Sequence, residues 1–169
     1  MRFKKIICWP PLLGGIGAGV TIGILAYITF QSILAGTNYG LWLAASFGSS
    51  VVVVFGYPHN EFSQPKNVLF GHLLCALVGI IFVTLFKITQ DRTIFFLTIG
   101  LAVGLAVMRM MALKITHPPA GGNTIVVMLT QDSFQFLIFP IMGGAITIII
   151  GGVIYNRFIL KKNYPLKWL

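Results

Sequence analysis

Two histidines and one polar-to-apolar stretch carry most of the chain's reactive side chains. His72 lies inside an apolar run, Val68–Ile88, where an ionisable group is costly and usually functional. His117 opens the triplet His117-Pro118-Pro119, which is followed by Gly121, Gly122, Asn123 and Thr124 and then by the apolar run Ile125–Leu129. Histidine titrates near neutral pH, so His117 could gate a pathway or couple it to protons, or could serve a structural role by bonding a neighbouring carbonyl. His72 is the candidate to line the pathway. His59 falls in the polar stretch Pro58–Asn67 and reads as a loop residue. Pro118 and Pro119 suit only the first turn of a helix, and Asn123 and Thr124 are N-cap types directly before Ile125. A helix starting there points its unpaired N–H groups, and the positive end of its dipole, at whatever it faces. A small anion suits such a place.

A second stretch has the same pattern. FGSSVVVV (47–54) aligns with GGNTIVVM (121–128), each a small or polar cluster followed by an apolar run rich in β-branched residues. The pairing gives a candidate binding site for a small inorganic anion: Gly48, Ser49 and Ser50 from one side, and Gly121, Gly122, Asn123 and Thr124 from the other. His72, His117, Pro118 and Pro119 are candidate gating or pathway residues beside it.

Composition states what must hold these residues. The 169-residue chain is 57% apolar and 9% charged, with a mean hydropathy of +0.92, against about 25% charged residues in soluble domains. No polar second domain is apparent, so residues 1–169 read as one transmembrane domain in a lipid bilayer. The net charge of +9 does not form a nucleic-acid stripe, because basic residues gather at Arg2–Lys5 and Arg157–Lys167, beside hydrophobic runs. Cys8 and Cys75 have no ligand or framework spacing. Glu61, Asp91 and Asp132 are the only acids, and all fall in expected loops. With no carboxylate in the membrane for a cation or a carboxylate proton relay, an anion or a neutral solute fits better. Neither a cofactor, a metal nor an enzymatic activity is expected.

The spans follow from the apolar runs. Pro11–Leu34, Val68–Ile88, Thr93–Ala112 and Phe134–Tyr155 are long enough to cross; the N-terminal run continues past any signal-peptide length, so it reads as a span. Leu41–Tyr57 and Pro118–Thr130 are short, and thirteen helical residues rise only about 20 Å against a hydrocarbon core of about 30 Å. If both short segments cross, ten basic residues fall inside and only Lys87 and Arg92 outside, which favours six passes with both termini cytoplasmic in the cell membrane. Six passes divide into two inverted sets of three, about 10–90 and 91–160, each with a short or broken middle helix. Gly71 and Gly79 match Gly144 and Gly152 in spacing. Gly15, Gly19 and Gly23 are expected to let helices pack closely, and also offer a glycine-rich face for a homo-oligomer. Interrupted segments at matching places in inverted halves point to a transporter binding site.

THPPAGGNT (116–124) together with FGYPHNEFSQPKNVLFGHLL (55–74) resembles the HPP family of small integral membrane proteins, over most of the chain from about Leu41 to the last span. The resemblance implies a nitrite-like anion transporter, because plastid relatives are associated with nitrite. By motif it implicates His117, Pro118, Pro119, Gly121 and Gly122, with Gln64, Pro65, Asn67 and His72. The leading expectation is therefore an all-α anion transporter or channel, nitrite first, with its site between Ser49–Ser50 and Asn123–Thr124. A channel for a neutral solute, a haem- or metal-binding redox subunit using His59, His72 and His117, and a helical scaffold subunit are the alternatives.

Overall fold

Apolar runs of this kind have no water to satisfy their backbone, so each must bond to itself as helix. The computed structural model describes residues 9–36, 45–89, 95–131 and 133–168. Arg2, Lys4, Lys5, Cys8, Asp91, Arg92 and Asp132 lie outside the described residues, as does the expected start of the second segment at Leu41. Six helical runs follow in order: α1 (Trp9–Leu34), α2 (Ala45–Gly56), α3 (Pro65–Thr89), α4 (Phe95–Ala112), α5 (Gly121–Thr130) and α6 (Phe134–Ile159). No strand occurs among the described residues. Four of the runs, α1, α3, α4 and α6, are long and apolar enough to cross a membrane. The two short ones, of 12 and 10 residues, rise about 18 and 15 Å, roughly half a hydrocarbon core.

Two helix starts differ from expectation. α5 begins at Gly121, led in by a 3-10 turn at Pro118–Ala120 whose Ala120 N–H bonds the His117 carbonyl at 2.9 Å. Asn123 and Thr124 thus lie inside the first turn, and their side chains are free to bond other helices instead of capping their own. In the second segment helix is already formed at Ala45, so Ser49 and Ser50 are mid-helix and no helix N-terminus exists at Ser49. Pro140 has no N–H to complete an α turn, and α6 widens to π geometry over Leu137–Met142, and again over Val153–Ile159.

Hydrogen bonds between distant segments fix how the helices alternate. Tyr155 near the end of α6 donates its hydroxyl to the Leu13 carbonyl at the start of α1 (2.6 Å), and Asn156 donates to Val54 O at the end of α2 (3.1 Å). Asn67 at the start of α3 donates to Thr116 O, just before α5 (2.9 Å). The starts of α1, α3 and α5 and the ends of α2, α4 and α6 therefore share one end of the bundle. Lys66, Arg109, Lys114, Arg157, Lys161, Lys162 and Lys167 all belong to that end, and the C-terminal tail folds back over it.

The core is made by close approach of long helices to short ones. A Cβ on Gly71 of α3 would fall 2.9 Å from His117 Cβ, and one on Gly79 would fall 3.0 Å from Val127 Cβ, so α3 lies tightly against α5. α6 does the same to α2: Cβ atoms on Gly144 and Gly152 would meet Phe47 and Val54. The expected packing role of Gly15, Gly19 and Gly23 is not what the structure has. Those three face outward with no described atom near their Cβ positions, whereas Gly14 and Gly17, on the opposite side of the helix, abut Phe55 and Tyr155. The outer faces of α1 and α4 are apolar (Ile16, Val20, Tyr27; Leu101, Met108), as lipid contact requires.

Candidate functional site

Where α2, α3 and α5 meet, Ser46, Ser50, His72, His117, Asn123 and Thr124 are buried together, every one of them at most 7% exposed. Three sequence features bring them there. Ser46 and Ser50 stand four residues apart and so share one face of α2. The glycine at 71 lets the His117 Cβ and the Ile115 carbonyl approach α3. The prolines set the chain into α5 so that Asn123 and Thr124 point at α3.

The bonds form one connected network. The Ser46 hydroxyl donates to Asn123 Oδ1. Asn123 Nδ2 lies 2.7 Å from His72 Nδ1. Ser50 Oγ stands 2.8 Å from His72 Nε2, 2.9 Å from His117 Nε2 and 2.9 Å from the Ser46 carbonyl. His117 Nδ1 lies 2.7 Å from the Phe62 carbonyl. The two imidazoles are tilted, with centroids 5.0 Å apart, and the edge of the His72 ring meets Phe47. Thr124 donates to the Cys75 carbonyl one turn further along α3 (2.9 Å).

The partners dictate the ring tautomers. A carbonyl cannot donate, so His117 carries its hydrogen on Nδ1 and presents Nε2 as acceptor. The Asn123 amide nitrogen only donates, so His72 Nδ1 accepts and His72 Nε2–H points at Ser50. All four ring nitrogens are engaged, which leaves none free to ligate a metal. His59 is exposed in its loop, and among the described residues no three His, Cys, Asp or Glu side chains gather as a metal site.

The structure thus joins Ser50, Asn123, His72 and His117 from the expected set and adds Ser46. It separates others. Ser49 and Gly48 lie on the exposed side of α2, away from the network, because a helix turns 100° per residue and the bonding face is the one shared by 46 and 50. Thr124 belongs to the α3–α5 packing. Gly121 and Gly122 are half-buried, Pro118 is exposed, and Pro119 is half-buried in the lead-in turn. Gln64 faces the C-terminal tail: its Oε1 accepts from Leu166 N–H (2.7 Å) and its Nε2 donates to Pro58 O and Asn60 O. Asn67 holds the Thr116 carbonyl. The serine at 46 and the Phe62 carbonyl were not anticipated; for Ser46 the four-residue spacing to Ser50 was the available signal.

Ser46 and Asn123 bond directly, so the two short helices close on each other and do not flank an open polar cavity at that point. A cavity of about 450 Å³ does lie just outside, at the basic end, lined by Glu61, Phe62, Asn67, Met111, Lys114 and Thr116. His117 follows Thr116 in the chain and bonds Phe62, so one layer of backbone separates this vestibule from the buried network.

The family described as "HPP, transmembrane region" matches residues 6–165. Two transmembrane proteins of Dictyostelium discoideum are similar: one is 32% identical over 130 residues, covering 75% of this chain and 45% of that protein. The other is 30% identical over 151 residues, covering 87% of this chain and 48% of its own length. The chain thus spans just under half the length of each. No solved structure matches.

Proposed function

Since the chain belongs to the HPP family of transmembrane proteins, we propose that it carries a small inorganic anion, nitrite first, across the cell membrane through the α2–α3–α5 junction. The observation that carries this reading is the buried polar network itself. Hydroxyl, amide and imidazole groups are expensive to bury in an apolar bundle, and here they lie directly behind a vestibule at the end where basic residues collect. Positive potential there draws anions inward, and the donors of Ser46, Ser50 and Asn123 can transfer from each other to an arriving anion. With the basic end inside, both termini are cytoplasmic.

The reciprocal glycine contacts support two inverted halves: the third helix of each half, α3 or α6, rests on the short helix of the other through glycines eight residues apart. In this reading residues 1–169 form one transport domain without enzymatic activity or cofactor, and the closed Ser46–Asn123 contact is a shut gate that must open in each cycle. A scaffold subunit is the second reading, because it takes the same closed contact as permanent. Nitrite flux into proteoliposomes separates them: protein-dependent uptake supports transport, and uptake no faster than in empty liposomes supports the scaffold.

A further inference from the structure

Ser50 has one hydroxyl hydrogen and two acceptors for it at the same 2.9 Å distance, His117 Nε2 and the Ser46 carbonyl. When the hydrogen points to His117, every group in the network is satisfied with both rings neutral. When it rotates to Ser46 O, the His117 Nε2 lone pair is left vacant and can take one proton. The new N–H then donates to Ser50 Oγ, which also accepts from His72 Nε2–H (2.8 Å). Every hydrogen again has an acceptor, with no heavy atom moved. We propose that Ser50 is a hydroxyl rotor serving a single proton site on His117, so that one proton crosses with each anion.

The chemistry balances simply. A hydronium ion reaching the site through the vestibule loses one O–H bond and becomes water as an N–H bond forms at His117 Nε2, while the Ser50 O–H bond only rotates; on release at the far side that N–H bond breaks and the proton returns to water as hydronium. Among the described residues, the charge created has no buried partner. α2 presents Ser46 and Ser50 to the site, α3 presents His72 and, a turn away, Cys75, and α5 presents Asn123 and Thr124. The loop before α3 and the linker before α5 contribute Glu61 and Lys114, both exposed in the vestibule and of opposite sign. α4 approaches through Met110 and α6 through Gly144, neither titratable. An unpaired charge in so apolar a place is costly, so the counter-charge is the transported anion, and proton and anion enter as a neutral pair. This rests on the anion reading above.

The test is solid-state NMR of the full chain, labelled with 15N at histidine and asparagine, in lipid nanodiscs at neutral pH, with and without sodium nitrite; His59→Gln removes the loop signal. The expected result is conversion of one imidazole per chain from a bare nitrogen plus an N–H to two N–H groups on adding nitrite. Ser50→Thr should retain it and Ser50→Ala lose it. The wild-type comparison needs no variant to fold. If nitrite shifts the Asn123 side-chain signals while both rings stay neutral, proton coupling is overturned and anion binding stands. If nitrite moves no signal at all, both are overturned.

Discussion

Asn123 and His72, fifty-one residues apart in sequence, are joined by a 2.7 Å contact between the amide nitrogen and ring Nδ1. Because an amide nitrogen only donates, this contact sets the direction of the bonds that follow: His72 must give its hydrogen to Ser50, and Ser50 is then free to give its own to His117. One side chain in the first turn of a ten-residue helix thereby orders a network spanning three helices.

Removing that side chain should cost stability. Asn123→Ala leaves the Ser46 hydroxyl and His72 Nδ1 buried without partners, at about 1–3 kcal/mol for each group. Thermal unfolding in detergent should show a clear drop in midpoint. Asn123→Asp should not restore it, because a carboxylate has no hydrogen for His72 Nδ1. An unchanged midpoint in Asn123→Ala would mean that water replaces these bonds and the network is loose.

Glycine substitutions should divide sharply by face. A Cβ at Gly144 would collide with the ring of Phe47, itself wholly buried, so Gly144→Ala should destabilise by about 1–3 kcal/mol through overpacking. Phe47→Leu in the same chain should recover part of the loss. Gly19→Ala, on the outward face of α1, should leave the stability of the monomer unchanged. A change in oligomeric size for Gly19→Leu, read by light scattering, would show that this face meets a second copy.

The C-terminal tail offers a pH-dependent readout outside the membrane-spanning helices. Tyr164 donates to the Ser63 carbonyl (2.8 Å), and Gln64 accepts from Leu166 and Lys167. Burial pushes the Tyr164 phenol above its ordinary value of 10.0. A group that holds its proton more tightly when docked contributes fully below the ordinary value and loses that contribution as pH rises past it. Amide exchange at Leu166 and Lys167 should therefore be protected at neutral pH, and above about pH 10 it should accelerate beyond the normal base-catalysed rise. Tyr164→Phe should abolish the extra acceleration, and Gln64→Leu should expose both amides at neutral pH.

Much of this was written in residue types. Long apolar runs and the scarcity of charge specify α1, α3, α4 and α6, and the ionisable His72 inside such a run marked the place where polar groups meet. The His-Pro-Pro break likewise marked the entry to α5. What failed was phase. Taking the polar cluster itself as a helix start put Ser49 beside Ser50 in the site, whereas helix already present at Ala45 turns Ser49 outward and brings Ser46 in. Gly15, Gly19 and Gly23 show a related limit of pattern: spacing by four identifies a stripe, but not whether the same chain, a second copy or lipid covers it, and within the chain no described atom does. The Phe62 carbonyl could not have been found, since a backbone acceptor carries no signature in residue type.

The central claim is that Ser46, Ser50, His72, His117 and Asn123 form the gate of an anion pathway. Its most direct test is the initial rate of nitrite uptake into proteoliposomes, at alkaline pH where little nitrous acid leaks through lipid. Wild type should exceed empty vesicles, and Ser50→Ala and Asn123→Ala should change the protein-dependent rate by about tenfold, the effect of about 1.4 kcal/mol on a barrier. Outward-facing Ser49→Ala should leave it unaltered. Folded Ser50→Ala and Asn123→Ala proteins that transport at the wild-type rate would contradict the account.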